Sequence, residues 1–213
     1  MVDTISIARI LREISTRMTE NRDRLVKLDQ VNGDGDLGIS MDDGFRALAE
    51  FFEGGEVPED LGTALRYGAK ILNSSAPSSL GTILSFGLMG MAKALHGKAS
   101  AEPIEVAQAL VAGVENIMAK AESAPGEKTI LDSLHPGALA LASGLGEEER
   151  PVEDAVGKAA QAAADGSEAT CQMAAVHGRA AYSAARSIGV LDGGSVVGRL
   201  IFEGIKAGAV AER

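Results

Sequence analysis

LDQVNGDGDLGISMDDGF, residues 28–45, places Asp29, Asp34 and Asp36 beside Gly33, Gly35 and Gly38 between two segments of helical apolar spacing. Glycine is entropically costly in a helix and aspartate side chains compete for backbone N–H groups, so the stretch reads as a loop joining two helices. The rest of the chain repeats that arrangement. Upstream, Ile7, Leu11, Ile14 and Met18 recur at helical spacing behind Asp3 or Thr4 as a cap. Downstream, ISMDDGFRALAEFF gives a second helix closed by Gly54 and Gly55. PEDLGTALRYGAKILN puts Pro58 in a first turn, sets Leu61, Leu65, Gly68 and Leu72 on one face, and ends a third helix near Asn73. A fourth runs from about Leu80 to Leu95, a fifth from about Pro103 to Glu122, a sixth from about Thr129 to Leu145. PVEDAVGKAAQAAADGSEATCQMAAV, residues 151–176, reads either as one long seventh helix or as two short ones broken at Asp165-Gly166-Ser167; the single helix is preferred. An eighth, SVVGRLIFEGIKAGAV, follows LDGG. No stretch alternates convincingly like a strand and no linker divides the chain, so the expectation is one all-α domain over residues 1–213, an antiparallel up-and-down bundle.

Composition limits the function classes. The chain has 213 residues, 46% of them apolar, enough for one sizeable core. A net charge of −10 without a run of lysine or arginine counts against nucleic acid and anionic membranes as partners, because both need a basic face. A single cysteine, Cys171, excludes an internal disulfide, and MVDTISIARI has neither the basic nor the apolar region of a secretory leader. A cytoplasmic protein is expected. The most apolar window, GTILSFGLMGMAKAL, is shorter than a membrane span and reads as a buried helix.

In an up-and-down bundle the N-termini of helices two, four, six and eight share one end. The loops entering them are DQVNGDGDLG, NSSAPSSLG, SAPGEKT and IGVLDGG, all rich in Gly, Ser, Asp or Pro, whereas EGGEV, HGKASAE and GEEERP at the other end look like ordinary connections. Converging helix N-termini present unpaired N–H groups and positive dipole ends, an anion site. Three aspartates beside it would repel an anion unless cations lay between, so Asp29, Asp34 and Asp36 are expected to hold Mg²⁺ that bridges to a polyphosphate. Two other readings compete. NGDGDLGISMDD partly follows a calcium loop through Asn32, Asp34, Asp36 and Asp43, but Leu37 stands where that loop needs glycine and Asp43 where it needs glutamate. An Asp/Gly turn that merely caps helix two is the plainer alternative.

Ser78, Ser79 and Thr82 offer hydroxyl donors, with Gly81 allowing close backbone approach, although an ordinary N-cap explains one of them equally well. PGEKT lacks the spacer, second glycine and preceding strand of a P-loop, so Lys128 reads as a solvated charge. Arg179 is expected near the C-terminal end of helix seven, within reach of a phosphate or its leaving oxygen. His96, His135 and His177 show no partner pattern, Cys171 reads as a small core residue, and Met89, Met91, Met118 and Met173 as packing.

Together, GDGDLGISMDDGF, GEKTILDSLHP and GRAAYSAARSIGVLDGG resemble the nucleotide-binding L subunit, or L domain, of dihydroxyacetone kinases, in the same order along almost the whole chain. The resemblance implies eight antiparallel helices closed into an α-barrel, with ATP or ADP and two Mg²⁺ ions at one end. It implies metal ligation by Asp29, Asp34 and Asp36, and a nucleotide-contacting turn at Leu37, Gly38, Ile39 and Ser40. It further implies an apolar rest for the base at Thr129 and Ile130, a catalytic phosphate contact at Arg179, and a turn at Asp192 and Gly193 before the last helix. This chain departs from the family pattern in having Leu37 for His, Ser40 for Asn, SSAPSSLG for a Gly-Gly-Ala-Ser-Gly-Pro-like phosphate loop, and no His or Pro in GVLDGG.

Two functions of different class follow. One is a Mg-dependent kinase subunit that holds ATP, or an ADP rephosphorylated in place with a phosphoryl-donor protein as partner. It would deliver phosphate to a hydroxyketone bound on a K-type partner subunit. The other is a non-catalytic nucleotide-binding or regulatory module of the same fold.

Overall fold

The computed structural model describes residues 1–31, 33–147 and 150–210; Asn32, part of the calcium-type pattern, lies outside them. The helices are α1 (Thr4–Asp29), α2 (Leu37–Glu53), α3 (Leu61–Ser75), α4 (Ser79–Ala94), α5 (Pro103–Ala121), α6 (Leu131–Gly146), α7 (Val152–Ala169), the single-turn α8 (Ala184–Ser187) and α9 (Gly193–Val210). Two 3₁₀ turns, Thr170–Gln172 and Arg179–Ser183, lie between α7 and α8. Among the described residues no strand forms, and the backbone pairing outside helices is a bridge between Val2 and Ala101.

Local chemistry sets the boundaries. Asp3, not Thr4, caps α1, its carboxylate accepting from Ser6 N–H at 2.8 Å. Pro58 is not in the first turn of α3: Asp60 is the cap, accepting from Thr63 N–H at 2.7 Å, and the helix starts at Leu61. Glu102 and Glu105 form a reciprocal capping box on α5, with Pro103 in the first turn where its missing N–H costs nothing.

The largest departure from the sequence reading is α7. It ends at Ala169 rather than near Val176, although, as the preferred reading has it, it passes through Asp165-Gly166-Ser167 without a break. Gly166 serves a different purpose there. Pro136 inside α6 has no N–H to give the carbonyl of Asp132, and α7 comes so close to that carbonyl that a Cβ on Gly166 would lie 1.9 Å from it. Ser167 then meets Ser195 of α9, their hydroxyls 2.9 Å apart.

Each helix packs on the next in sequence, α1 to α2 and onward to α7, then α9, and α9 packs back on α1. The ring is thereby closed, an α-barrel. Closure depends on close approach at the last seam: a Cβ on Gly204 or Gly208 would lie 2.5–2.6 Å from Ile14 or Ile10 of α1. Buried Met18, Leu25, Met41, Leu48, Leu72, Ile117 and Phe202 fill the core, each stabilising the fold by about 1.5–3 kcal/mol. An apolar cavity of about 170 Å³ remains inside, lined from α1 to α6 and α9 by side chains such as Ile14, Phe45, Leu84, Leu134 and Ile201. Alanine-rich α7 contributes none of that lining and packs against α6 and α9, which also touch each other. Met91, Met118 and Met173 are partly buried as packing residues, whereas Met89 is exposed and Cys171 only half-buried. No helix among the described residues is long and apolar enough to cross a membrane.

Candidate functional site

At one end of the barrel the N-termini of α2, α4, α6 and α9 border a single open cleft of about 860 Å³. Asp29, Gly33, Asp34 and Asp36 form one wall. Asp29 Oδ2 accepts from Gly35 N–H at 2.7 Å, and Gly35 adopts φ +81°, a left-handed conformation that glycine takes without strain. This turn folds the chain back so that carboxylate oxygens of Asp29, Asp34 and Asp36 lie within 4.8 Å of one another. Loss of surrounding water, then the charges of Asp34 and Asp29, push the Asp36 carboxyl above its ordinary value. Arg179 supplies the one opposing side-chain charge, its Nη1 2.7 Å from Asp34 Oδ2. Hard oxygen donors at this spacing, partly neutralised by an exposed guanidinium, fit Mg²⁺.

The second wall is the start of α4. Ser78 Oγ accepts from Gly81 N–H at 3.2 Å and lies 3.2 Å from the Ser40 hydroxyl, whose proton is shared between Ser78 and the Leu37 carbonyl, and Ser78 borders the cleft. Ser79 lines the cleft beside it. Thr82 also lines it, but its hydroxyl donates to Asn73 at 3.1 Å and is not a free donor. Gly81 does not line it: its N–H is used by Ser78, and a Cβ there would lie 2.1 Å from the Ala76 carbonyl, so this glycine serves packing. On α2, Leu37 faces the cleft, whereas Gly38, Ile39 and Ser40 do not line it. Gly38 packs against the Arg22 carbonyl of α1, where a Cβ would come within 2.1 Å, and Ile39 is exposed. Thr129, Ile130, Arg179, Asp192 and Gly193 all border the cleft.

Arg179 arrives differently from the expectation. With α7 ending early, Arg179 opens a 3₁₀ turn on a loop from 173 to 192 that leans over the aspartates. His177 is not without a partner: its Nε2 lies 2.6 Å from Glu127 Oε2. Glu127 also accepts from Ala124 N–H and the Ser123 hydroxyl, and the Ala124 bond, then His177, then Ser123 draw its carboxyl down to about 2. Asp132 ties the same connection by accepting from Gly126 N–H and Thr129 N–H.

Lys128 is not solvated. It is 6% exposed, and its ammonium donates to the carbonyls of Thr170 and Val190. Burial lowers its pKa, opposed first by the charge of Asp192. Asp192 accepts from Ser195 N–H at 2.6 Å, capping α9, and burial in the wall of the cleft pushes its carboxyl up to about 6. The sequence reading passed over Glu127 and Asp132 and misread Lys128 and His177. The visible signal for Glu127 and Lys128 was a pair of charges in the Gly-, Pro- and Ser-containing connection SAPGEKT.

The DAK2 domain family matches residues 31–207. The chain belongs to that family. Among DAK2 relatives, the PEP-dependent dihydroxyacetone kinase 1 ADP-binding subunit DhaL of Listeria innocua serovar 6a is 31% identical over 194 residues, 91% of each chain. The L-erythrulose kinase of Pectobacterium atrosepticum is 30% identical over 188 residues, 88% of this chain and 32% of that protein. The crystal structure of the dihydroxyacetone kinase of C. freundii matches with a TM-score of 0.76 at 21% identity, covering 97% of this chain and 35% of that one. This DAK2 chain therefore spans about a third of the two longer kinases and nearly the whole of the separate subunit.

Proposed function

We propose that the chain, as a single L-type unit over residues 1–213, is the Mg-dependent ATP- or ADP-binding subunit of a dihydroxyacetone or related ketose kinase. The observation that carries this reading is the Asp29, Asp34 and Asp36 cluster set among four helix N-termini in one cleft. Asp29, Asp34 and Asp36 would hold the metal, two ions in the fuller form of the proposal, which neutralises phosphate charge when bound. The Ser78 hydroxyl and the uncapped N–H groups of the bordering helices orient the phosphates, and Ile130 gives an apolar rest for the base. Arg179, paired here with Asp34, would be freed toward the phosphates where a bound metal supplied the charge on Asp34, and would stabilise the charge that develops during transfer.

Among the described residues of the cleft, Asp29, Asp34 and Asp36 are assigned to the metal and Asp192 to the α9 cap, while His177 borders the cleft already paired with Glu127. The acceptor ketose is therefore assigned to a K-type partner subunit, and a phosphoryl-donor protein is a further partner if ADP stays bound. Exposed Val31, Ile39, Val176, Tyr182 and Ile188 all belong to connections or first turns at this end, which supports docking there. The second reading, a non-catalytic nucleotide module, is favoured by one observation, the apolar Leu37 at the cleft against Gly193.

Titration calorimetry of ADP in Mg²⁺ and in EDTA tests the site. Strong Mg-dependent binding is expected, and equal affinity in both would overturn it. Ketose phosphorylation that needs an added K-type subunit separates the kinase subunit from the module.

A further inference from the structure

The loop from 173 to 192 buries little of itself: Ala175 and Ser187 are buried, while Val176, His177, Tyr182 and Ile188 are exposed. Its order must come from polar ties, and these gather in two places. At its base, Gly189 N–H donates to the Cys171 carbonyl at 2.8 Å and Asp192 N–H to Thr170 Oγ1 at 3.1 Å. Between those two bonds the Lys128 ammonium bridges both ends of the loop, donating to the carbonyls of Thr170 and Val190 at 2.5 and 2.6 Å. Farther out, the preceding residue holds the arm: Val176 N–H donates to the Glu127 carbonyl at 3.3 Å, and His177 meets the Glu127 carboxylate. Gly178 then turns the chain at φ +65° into Arg179.

A lysine 6% exposed is costly, and here its direct acceptors are two neutral carbonyls from chain ends that would otherwise separate. Lys128 also adopts φ +60°, uncommon for a residue with a side chain, as part of directing its stem inward from the α5–α6 connection. We propose that Lys128 is a positioning residue, a staple that closes the base of the 173–192 loop and thereby fixes Arg179 over the aspartate cluster. The proposal deepens the nucleotide-binding reading and rests on it for the role of Arg179.

A Lys128→Met variant keeps the apolar stem and removes the ammonium. Hydrogen exchange of the ligand-free protein should rise about tenfold or more within 173–192 and stay unchanged in α1 to α6; unchanged exchange in the loop overturns the staple. Calorimetry of ADP in Mg²⁺ then completes a cycle with Arg179→Ala. If Lys128 acts through Arg179, Lys128→Met weakens binding in the wild-type background and adds nothing in the Arg179→Ala background. Additive losses would overturn positioning in favour of a direct ligand contact or a general loss of stability. If Arg179→Ala binds ADP as tightly as wild type, the phosphate-facing reading of Arg179 falls with the second half of the proposal, and the exchange result still decides the staple. Should Lys128→Met fail to fold, the wild-type amides of Gly189 and Asp192 carry the decision: slow exchange supports a closed base, and exchange as fast as in an open loop overturns it.

Discussion

The two ends of this barrel join the same helices and spend their polar groups differently. At the end carrying the connections 54–60 and 95–102, side chains act mostly on their own neighbourhood: Asp60 caps α3 through Oδ1, Glu102 and Glu105 cap α5, and Lys98 pairs with Glu105 at the surface. At the cleft end, carboxylates crowd without an equal number of cations, a lysine is buried against distant carbonyls, and a loop is held by a neighbouring connection. The caps and the surface pair at the first end act locally. The other stores unfavourable charge in a form that a cationic and anionic ligand together would relieve.

The contrast breaks most visibly at the aspartates. Asp34→Asn or Asp36→Asn should weaken Mg-dependent ADP binding by on the order of 10–100-fold or more, without lowering the melting temperature of the ligand-free protein, because like charges are being removed. Calorimetry with thermal melts checks both halves, and a fall in ligand-free stability would place these carboxylates among the structural caps.

Asp192 sharpens the contrast through pH. Its folded value, about 6, lies above the ordinary 3.8, so its contribution to stability is fully present below pH 3.8 and is lost as pH rises through 6. Asp192→Asn keeps an oxygen to cap α9 and removes the charge, although it also gives up attraction to Lys128. The stability difference should move in the variant's favour by about 1–2 kcal/mol between about pH 4 and pH 7, measured by denaturant melts across that range. A difference that is flat with pH would mean the carboxyl is not held up by burial.

At the opposite end, Asp60→Ala should cost about 1 kcal/mol of stability and leave ADP affinity unchanged, the signature of an ordinary helix cap. Lys98→Ala, which removes a surface pair with Glu105, should cost no more than about 0.5 kcal/mol and less still at high salt. A change in ADP affinity from either variant would show that the two ends are coupled through the helices.

The sequence by itself determined the helical class, the boundaries of α2, α4 and α5 to within a few residues, and the gathering of unusual connections at one end. These follow from apolar spacing and from the local chemistry of Gly, Asp, Ser and Pro, all short-range properties. It also carried the three aspartates, since their spacing in a glycine-rich loop leaves few ways to separate them. Only the tertiary structure decided the end of α7 and the place of Arg179. An alanine-rich run can continue as a helix, yet at Ala169 it gives way to a 3₁₀ turn whose Thr170 carbonyl accepts from Lys128, a residue of a connection far away in sequence. In the same way the sequence left Gly166 open as a break, the less favoured alternative, and only the structure shows it as a contact with the Pro136-freed carbonyl of another helix. Burial of Lys128 and the partnering of His177 by Glu127 are long-range facts of the same kind: a charged residue's surroundings are set by what packs against it, which no local pattern records.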